Sequence, residues 1–192
     1  KLGITDSLLL EQDVLGSGST GRSQTICRTH YSNQITTRLA WESLRVFANF
    51  AEIVGGDAGF VKTGYLVVVG LADQNGLRKN VAMQQELGVS TSLVTAYDVN
   101  DFAPMIQVSE GESLAWEPHS GYADSHQVTT SFAARSREMG AEIAMRTIAK
   151  SVEVSSGRVQ AVLTSQGRVE TPIAVVAAGP WSKQVLAGIG FD

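Results

Sequence analysis

A chain of 192 residues, 43% hydrophobic and 18% charged, is long enough to bury a core as one domain or two small ones. Its formal charge of -4 denies it the basic face that nucleic-acid phosphates demand, and its longest apolar run, Tyr65 to Leu71, is far too short for a bilayer, so neither nucleic acid nor membrane is an expected partner. The single Cys27 excludes an internal disulfide, His30, His119 and His126 show no metal-ligand spacing with Cys or carboxylates, and the absence of a leader pattern makes a cytoplasmic location the default.

Lys1 to Asp6 reads as the last turn of a helix with Gly3 as its left-handed cap, so the chain is expected to begin inside a fold. Leu8-Leu9-Leu10 is a short apolar strand ending in Glu11, and the glycine-rich Gly16 to Ser23 follows. Arg22 to Asn33 is crowded with Thr, Ser, Cys and His and is a poor helix by propensity. From Asn33 to about Val54, Ile35, Leu39, Leu44, Phe47, Phe50 and Ile53 recur near helical spacing, with Arg38, Glu42, Arg45 and Asn49 opposite. This predicts an amphipathic helix stopped by Gly55-Gly56. Phe60 to Val69 reads as a strand, Asp73 to Leu87 as a helix closed by Gly88, and Val89 to Val94 as extended.

Tyr97 to Phe102 is expected to be turn-like, and Ser113 to Trp116 a brief strand stopped by Pro118. Asp124 or Ser125 can cap a helix reaching about Met139, where Gly140 ends it. Glu142 to Ala178 reads as successive strands turning at Ser155-Ser156-Gly157 and Ser165-Gln166-Gly167, the last of them a buried strand at Val175-Val176 that runs into Ala177-Ala178-Gly179-Pro180-Trp181-Ser182. The sum is an α/β chain with an antiparallel element inserted before a final parallel strand.

Two apolar strands that each deliver a backbone-exposing turn suit the ribose and pyrophosphate of a dinucleotide. Gly16, Gly18 and Gly21 satisfy G-x-G-x-x-G literally, and one reading makes them the fingerprint of a nicotinamide-dependent dehydrogenase, with Glu42 as its acidic ribose partner. A second makes Glu11 the carboxylate that ends the second strand of such a fold, the first strand and its glycine loop then preceding residue 1. A third makes Gly16 to Ser23 a flexible connection.

Glu11, then Gly16 to Ser23, Arg28, Thr63-Gly64-Tyr65-Leu66, Glu117-Pro118, Gly121-Tyr122-Ala123-Asp124 and Ala177 to Ser182 together resemble the FAD-dependent amine oxidoreductases, the family of D-amino-acid oxidase, glycine oxidase, sarcosine oxidase and dimethylglycine dehydrogenase. The resemblance implies a partial Rossmann-like FAD-binding domain in 1–56 and 124–192, with an inserted mixed α+β substrate-binding region in 57–123. It implies a fragment, with the first strand expected before Lys1 and a carboxy-terminal part after Asp192. The activity implied is oxidation of the C–N bond of an amino acid or N-methylated amino acid, sarcosine- or dimethylglycine-like, by hydride transfer to flavin N5, giving an imine that water hydrolyses.

For the cofactor, the resemblance implies that Glu11 holds the adenosine ribose, that Ser19, Thr20, Arg22 and Ser23 approach the pyrophosphate and ribityl chain, that Ala149 meets the adenine, and that Ala178 and Gly179 allow close approach on the other side. Arg28 matches the place where relatives carry an arginine that pairs with the substrate carboxylate, although Thr25, Ile26 and Cys27 stand where many carry glycines. His30, Tyr31 and Tyr122 could line a substrate pocket or simply pack. Trp181 is expected to be a core anchor, Cys27 a small buried hydrophobe, and His119 and His126 surface residues. Absence of the central strand would leave edges at Leu8 and Val175 and favour self-association, and a catalytically inactive remnant is the alternative from a different class.

Overall fold

The computed structural model describes residues 6–190 and divides the chain into two compact units, Lys1–Ser23 with Phe132–Asp192, and Gln24–Ser131. The helical turn expected at Lys1 to Asp6 falls mostly on residues outside that description. In chain order, β1 (Leu8–Leu10) and β2 (Ile26–Cys27) precede α1 (Gln34–Ala48) and α2 (Phe50–Ile53). Next come β3 (Tyr65–Val69), α3 (Gln74–Glu86), β4 (Ser92–Val94), α4 (Ala96–Phe102), β5 (Ser113–Glu117) and β6 (Gly121–Tyr122). The chain continues through α5 (Ser125–Glu138), β7 (Glu142–Ala144), β8 (Ala149–Ser155), β9 (Arg158–Thr164), β10 (Gly167–Glu170) and α6 (Ser182–Leu186).

In the first unit β1 pairs in parallel with β7, Leu8 opposite Glu142 and Leu10 opposite Ala144. The pairing runs on past the strands, because Glu11 N–H donates to the Ala144 carbonyl and Thr147 N–H to the Glu11 carbonyl, both at 2.9 Å. β8, β9 and β10 form the expected antiparallel meander, turning where Ser155 to Gly157 and Ser165 to Gly167 predict. The buried strand expected at Val175-Val176 is absent: residues 171–178 make no ladder and Val175 is 87% exposed. An apolar extended segment becomes a strand only where another strand takes up its backbone groups, and none of the described residues does so.

In the second unit β5 is central in an antiparallel sheet of order β3-β5-β4, and α3 covers it. Leu77 and Val81 from α3 pack on Ala115 with Val67 and Val69 beside them, the buried Leu77 and Val81 side chains contributing about 1.5–3 kcal/mol each. A second cluster joins Phe50, Val54 and Ala58 to Val46, Phe47, Phe60 and Val128. The helix predicted over 33–54 forms with a break at Asn49, whose N–H donates to the Val46 carbonyl. Its buried stripe passes through Thr37, Leu44 and Phe50, whereas Ile35 and Leu39, expected inside, are 76% and 65% exposed because they lie off that stripe.

Two further expectations are corrected. The strand read from Phe60 begins only at Tyr65, since its partner β5 ends at Glu117 opposite Tyr65; before it, Val61 bridges to Tyr122 and Gly64 N–H donates to the Ser120 carbonyl. Residues 96–102 form a helix rather than a turn. Thr95 caps it, accepting from Asp98 N–H while the Asp98 carboxylate accepts from Thr95 N–H at 2.8 Å, a reciprocal box that nucleates even a short helix. These bonds from Thr95 hold the Asp98 carboxyl below the usual carboxylate range.

Candidate functional site

In the first unit, the end of β1 places Glu11 at the mouth of the glycine-rich loop. Its Oε1 accepts from Asp13 N–H at 2.9 Å and weakly from the Ser17 hydroxyl at 3.5 Å, while Oε2 has no hydrogen-bond partner among the described residues. The loop closes on itself through Gly21 N–H to the Gly16 carbonyl, and Gly16 takes a left-handed φ of +80° to allow it. A Cβ at Gly21 would overlap that carbonyl. Gly18 and Ser19 keep N–H groups unpaired among the described residues. Ser19 to Ser23 are exposed, Thr20–Arg22 forming one 3₁₀ turn.

Gly18 lies against Trp181, the Cζ3 atom being 3.7 Å from where a Cβ would stand, so the loop meets the turn that carries Ala178 and Gly179. Trp181 is 38% exposed and is therefore not the core anchor expected of it. Gly179 has open space where a side chain would project. Ala149 opens β8, two residues beyond the Thr147 N–H that meets Glu11. A carboxylate oxygen without a donor can accept from ribose hydroxyls, and unpaired backbone N–H groups can donate to a pyrophosphate.

The Gly16, Gly18, Gly21 fingerprint of a nicotinamide site is not realised. The loop leads into a single 3₁₀ turn and then β2, with no helix whose N-terminus could receive phosphate. Glu42, its expected ribose partner, is an exposed residue of α1 paired with Arg45 at 3.2 Å.

In the second unit, β2 delivers Arg28 to a segment rich in polar contacts. The Arg28 guanidinium carbon lies 4.6 Å from the Tyr31 ring centroid and 5.6 Å from that of Tyr65, and Nη1 donates to the His30 carbonyl. Such cation–π contacts contribute about 0.5–1 kcal/mol each at partly exposed sites. Its Nε–Nη2 edge has no acceptor among the described residues, and no carboxylate of theirs comes within ion-pair distance. Two parallel donors on one edge match a carboxylate.

Behind Arg28 stands a buried polar cluster. Glu117 Oε2 accepts from Thr29 N–H at 2.9 Å and from the Ser120 hydroxyl at 2.7 Å. Gln84 donates to the Tyr31 carbonyl at 3.3 Å and lies 3.2 Å from His30 Nδ1, which is itself 3.9 Å from Glu117 Oε1. Burial lowers the His30 pKa and Arg28 lowers it further, outweighing Glu117 and the Gln84 bond, which act upward; the imidazole is neutral near pH 7. Cys27 is half-buried with its thiol pushed up by desolvation, which makes it a poor nucleophile.

His30 and Tyr31 lie against Arg28, while Tyr122 sits on β6 opposite Ile26, 47% exposed. Tyr65 and Glu117 enter the sequence pattern only as motif letters, and Gln84 carries no local signal at all, since a glutamine inside a helical pattern normally faces water. His119 and His126 are exposed.

A parallel strand ending in a carboxylate and a glycine turn, together with the antiparallel meander and the sheet capped by a helix, defines a partial Rossmann-like α/β fold of the dinucleotide-binding class. The family profile described as FAD dependent oxidoreductase (DAO) matches residues 1–192, and the chain belongs to that family, whose cofactor is FAD. It is 28% identical over 191 residues to 4-methylaminobutanoate oxidase (formaldehyde-forming) of Paenarthrobacter nicotinovorans, covering 98% of this chain and 23% of that one. It is 24% identical to the mitochondrial pyruvate dehydrogenase phosphatase regulatory subunit of Mus musculus, covering 96% of this chain and 21% of the relative. Among solved structures, L-proline dehydrogenase from P. horikoshii superposes with a TM-score of 0.89 at 28% identity, covering 97% of this chain and 50% of that one. The chain therefore spans a quarter or less of these two curated relatives and half of the solved one.

No helix among the described residues is long and apolar enough to cross a membrane, and no group of three or more His, Cys, Asp and Glu there is placed to hold a metal ion.

Proposed function

We propose that the protein is an FAD-dependent oxidoreductase acting on the C–N bond of an amino acid or N-methylated amino acid. The observation that carries this reading is the Nε–Nη2 edge of Arg28, two parallel donors flanked by tyrosine rings and without an acceptor among the described residues, which suit a carboxylate. 4-Methylaminobutanoate and proline, after which two of the similar proteins are named, each combine a secondary amine with a carboxylate. Sarcosine-like substrates fit the same description, and dimethylglycine-like ones pair the carboxylate with a tertiary amine.

In this reading Arg28 pairs the substrate carboxylate and so fixes the carbon next to nitrogen, with Tyr31 and Tyr65 holding the guanidinium in place. Glu11 accepts the ribose hydroxyls, and backbone groups around Ser19, Thr20, Arg22 and Ser23 meet the pyrophosphate and ribityl chain. Ala149, Ala178 and Gly179 provide close backbone approach. Bound FAD supplies the two-electron acceptor. Residues 1–56 and 124–192 would serve the cofactor, and 57–123, which contribute Tyr65 and Glu117, the substrate. The same reading carries a cytoplasmic location and self-association through apolar residues such as Leu9, 47% exposed, and Val175.

The test is the visible absorption spectrum of the purified protein after FAD is added and the excess removed, followed by assays with sarcosine, dimethylglycine, proline and D-amino acids. Retained flavin bands, bleached by one of these amines, support the proposal. A colourless protein that rejects FAD would overturn it in favour of a non-catalytic module, a role in keeping with the similarity to a regulatory subunit.

A further inference from the structure

Glu117 ends β5 with its side chain 1% exposed, and burying a carboxylate is costly unless donors meet it. Oε2 is met twice, by Thr29 N–H and by the Ser120 hydroxyl, whereas Oε1 is buried with no hydrogen-bond partner in the described structure. A position that needed only filling would be better served by an apolar side chain. Local conflicts of this kind collect at functional sites.

The contact that matters is the one to Thr29, the residue between Arg28 and His30. The one hydrogen bond Arg28 makes among the described residues is local, Nη1 donating to the His30 carbonyl, and the guanidinium rests on the Tyr31 ring, with the more distant Tyr65 ring 5.6 Å away on its β3 side. Its position therefore follows first the backbone of residues 28–31. That backbone is pinned from outside at Thr29 by Glu117 and at Tyr31 by Gln84, with Thr37 donating weakly to the Tyr31 carbonyl at 3.4 Å. Thr29 and Gln84 are both fully buried, so water does not compete for these bonds.

We infer that Glu117 is a positioning residue for Arg28: by accepting the Thr29 N–H it sets the conformation of residues 28–31 that presents the Nε–Nη2 edge to a substrate carboxylate. The inference rests on the reading of Arg28 as the carboxylate-binding group. It requires the reach of a glutamate and an acceptor at the Oε2 position. Glu117→Asp keeps the charge and withdraws the acceptor by one methylene, while Glu117→Gln keeps the reach and one carbonyl oxygen.

The experiment follows the Thr29 amide and the Arg28 Nε–Hε resonance in ¹H–¹⁵N spectra of the full chain, with acetate titrated as the carboxylate probe. Glu117→Asp is expected to move the Thr29 amide upfield, displace the Arg28 resonance and weaken acetate binding about tenfold, whereas Glu117→Gln stays within about twofold of the parent. Ser120→Ala, which removes the other donor to Oε2, should leave Arg28 in place. An Asp variant indistinguishable from the parent, or a Ser120→Ala variant that displaces Arg28 equally, overturns the inference. In the unmodified chain the buried Thr29 amide should exchange slowly; exchange at the rate of an open amide overturns the inference without any variant. Acetate binding unaffected by Arg28→Met would instead reject the carboxylate reading, while the two resonances still report whether Glu117 positions Arg28.

Discussion

Gly64 packs against the indole of Trp116, so close that a Cβ at position 64 would overlap the Cη2–Cζ2 edge of the ring. The backbone there has a φ of +77°, which a side chain also disfavours, and Trp116 cannot withdraw because it stacks on Phe102 at 4.2 Å between centroids. Gly64→Ala is expected to destabilise the protein by about 3 kcal/mol, combining left-handed strain with overpacking. Urea unfolding monitored by tryptophan fluorescence measures it. Because Tyr65 follows directly and flanks Arg28, the same variant should weaken carboxylate binding.

Glu11 combines one occupied carboxylate oxygen with one that no described residue meets. If it accepts ribose hydroxyls, Glu11→Ala removes bonds to a charged acceptor, which contribute about 1.5–3 kcal/mol, and FAD affinity falls roughly 10- to 100-fold. Flavin fluorescence titration reads this directly. An unchanged affinity would remove Glu11 from the cofactor site.

Arg28→Met keeps the aliphatic stem of the side chain but removes the guanidinium, and with it both donors of the open edge and the cation at Tyr31 and Tyr65. With a carboxylate-bearing amine, kcat/KM should fall about 100-fold or more, in line with the loss of a paired charge. The corresponding amine without a carboxylate should lose far less. Equal losses for both would separate Arg28 from carboxylate recognition.

His30 is partly buried and its pKa lies below the ordinary histidine value, chiefly through desolvation. Between the folded pKa and the unfolded value of about 6.5, the unfolded chain binds more protons, so acid favours unfolding there. The contribution is complete above the unfolded value and is lost as pH falls through the folded one. Urea midpoints should therefore drop from pH 7.5 to pH 5, and His30→Gln should flatten part of that drop while the groups around it, Glu117 and Arg28, remain. A variant with the same pH profile as the parent would show that His30 does not titrate differently on folding.

Where structure follows from local chemistry, the sequence is readable. The meander of β8 to β10 is written in alternation and turn residues, α3 in its closing Gly88, and α5 in Asp124, whose carboxylate accepts from His126 and Gln127 N–H at 2.8 Å. Arg28 is visible because its neighbours carry a family pattern. What stays hidden depends on partners far along the chain. Val175 looks like a core strand, yet strand formation needs a neighbour, and Leu39 looks like a core position until the stripe through Thr37 and Leu44 fixes the helix's rotation. The burial of Gln84 and Glu117 is not legible locally, because burial of a polar group is decided by the groups that meet it, here Thr29, His30 and Tyr31.

The parallel pairing of β1 with β7 joins residue 8 to residue 142, whereas every ladder of the stretch 24–131 closes within that stretch. During synthesis the inner unit has all its strand partners before residue 142 leaves the ribosome, while β1 must wait unpaired. Contacts so distant in sequence also make the outer unit the slow one in refolding. The exposed leucines of β1 are then the surface a chaperone would meet first, and a segment whose mutation would lower yield before it altered chemistry.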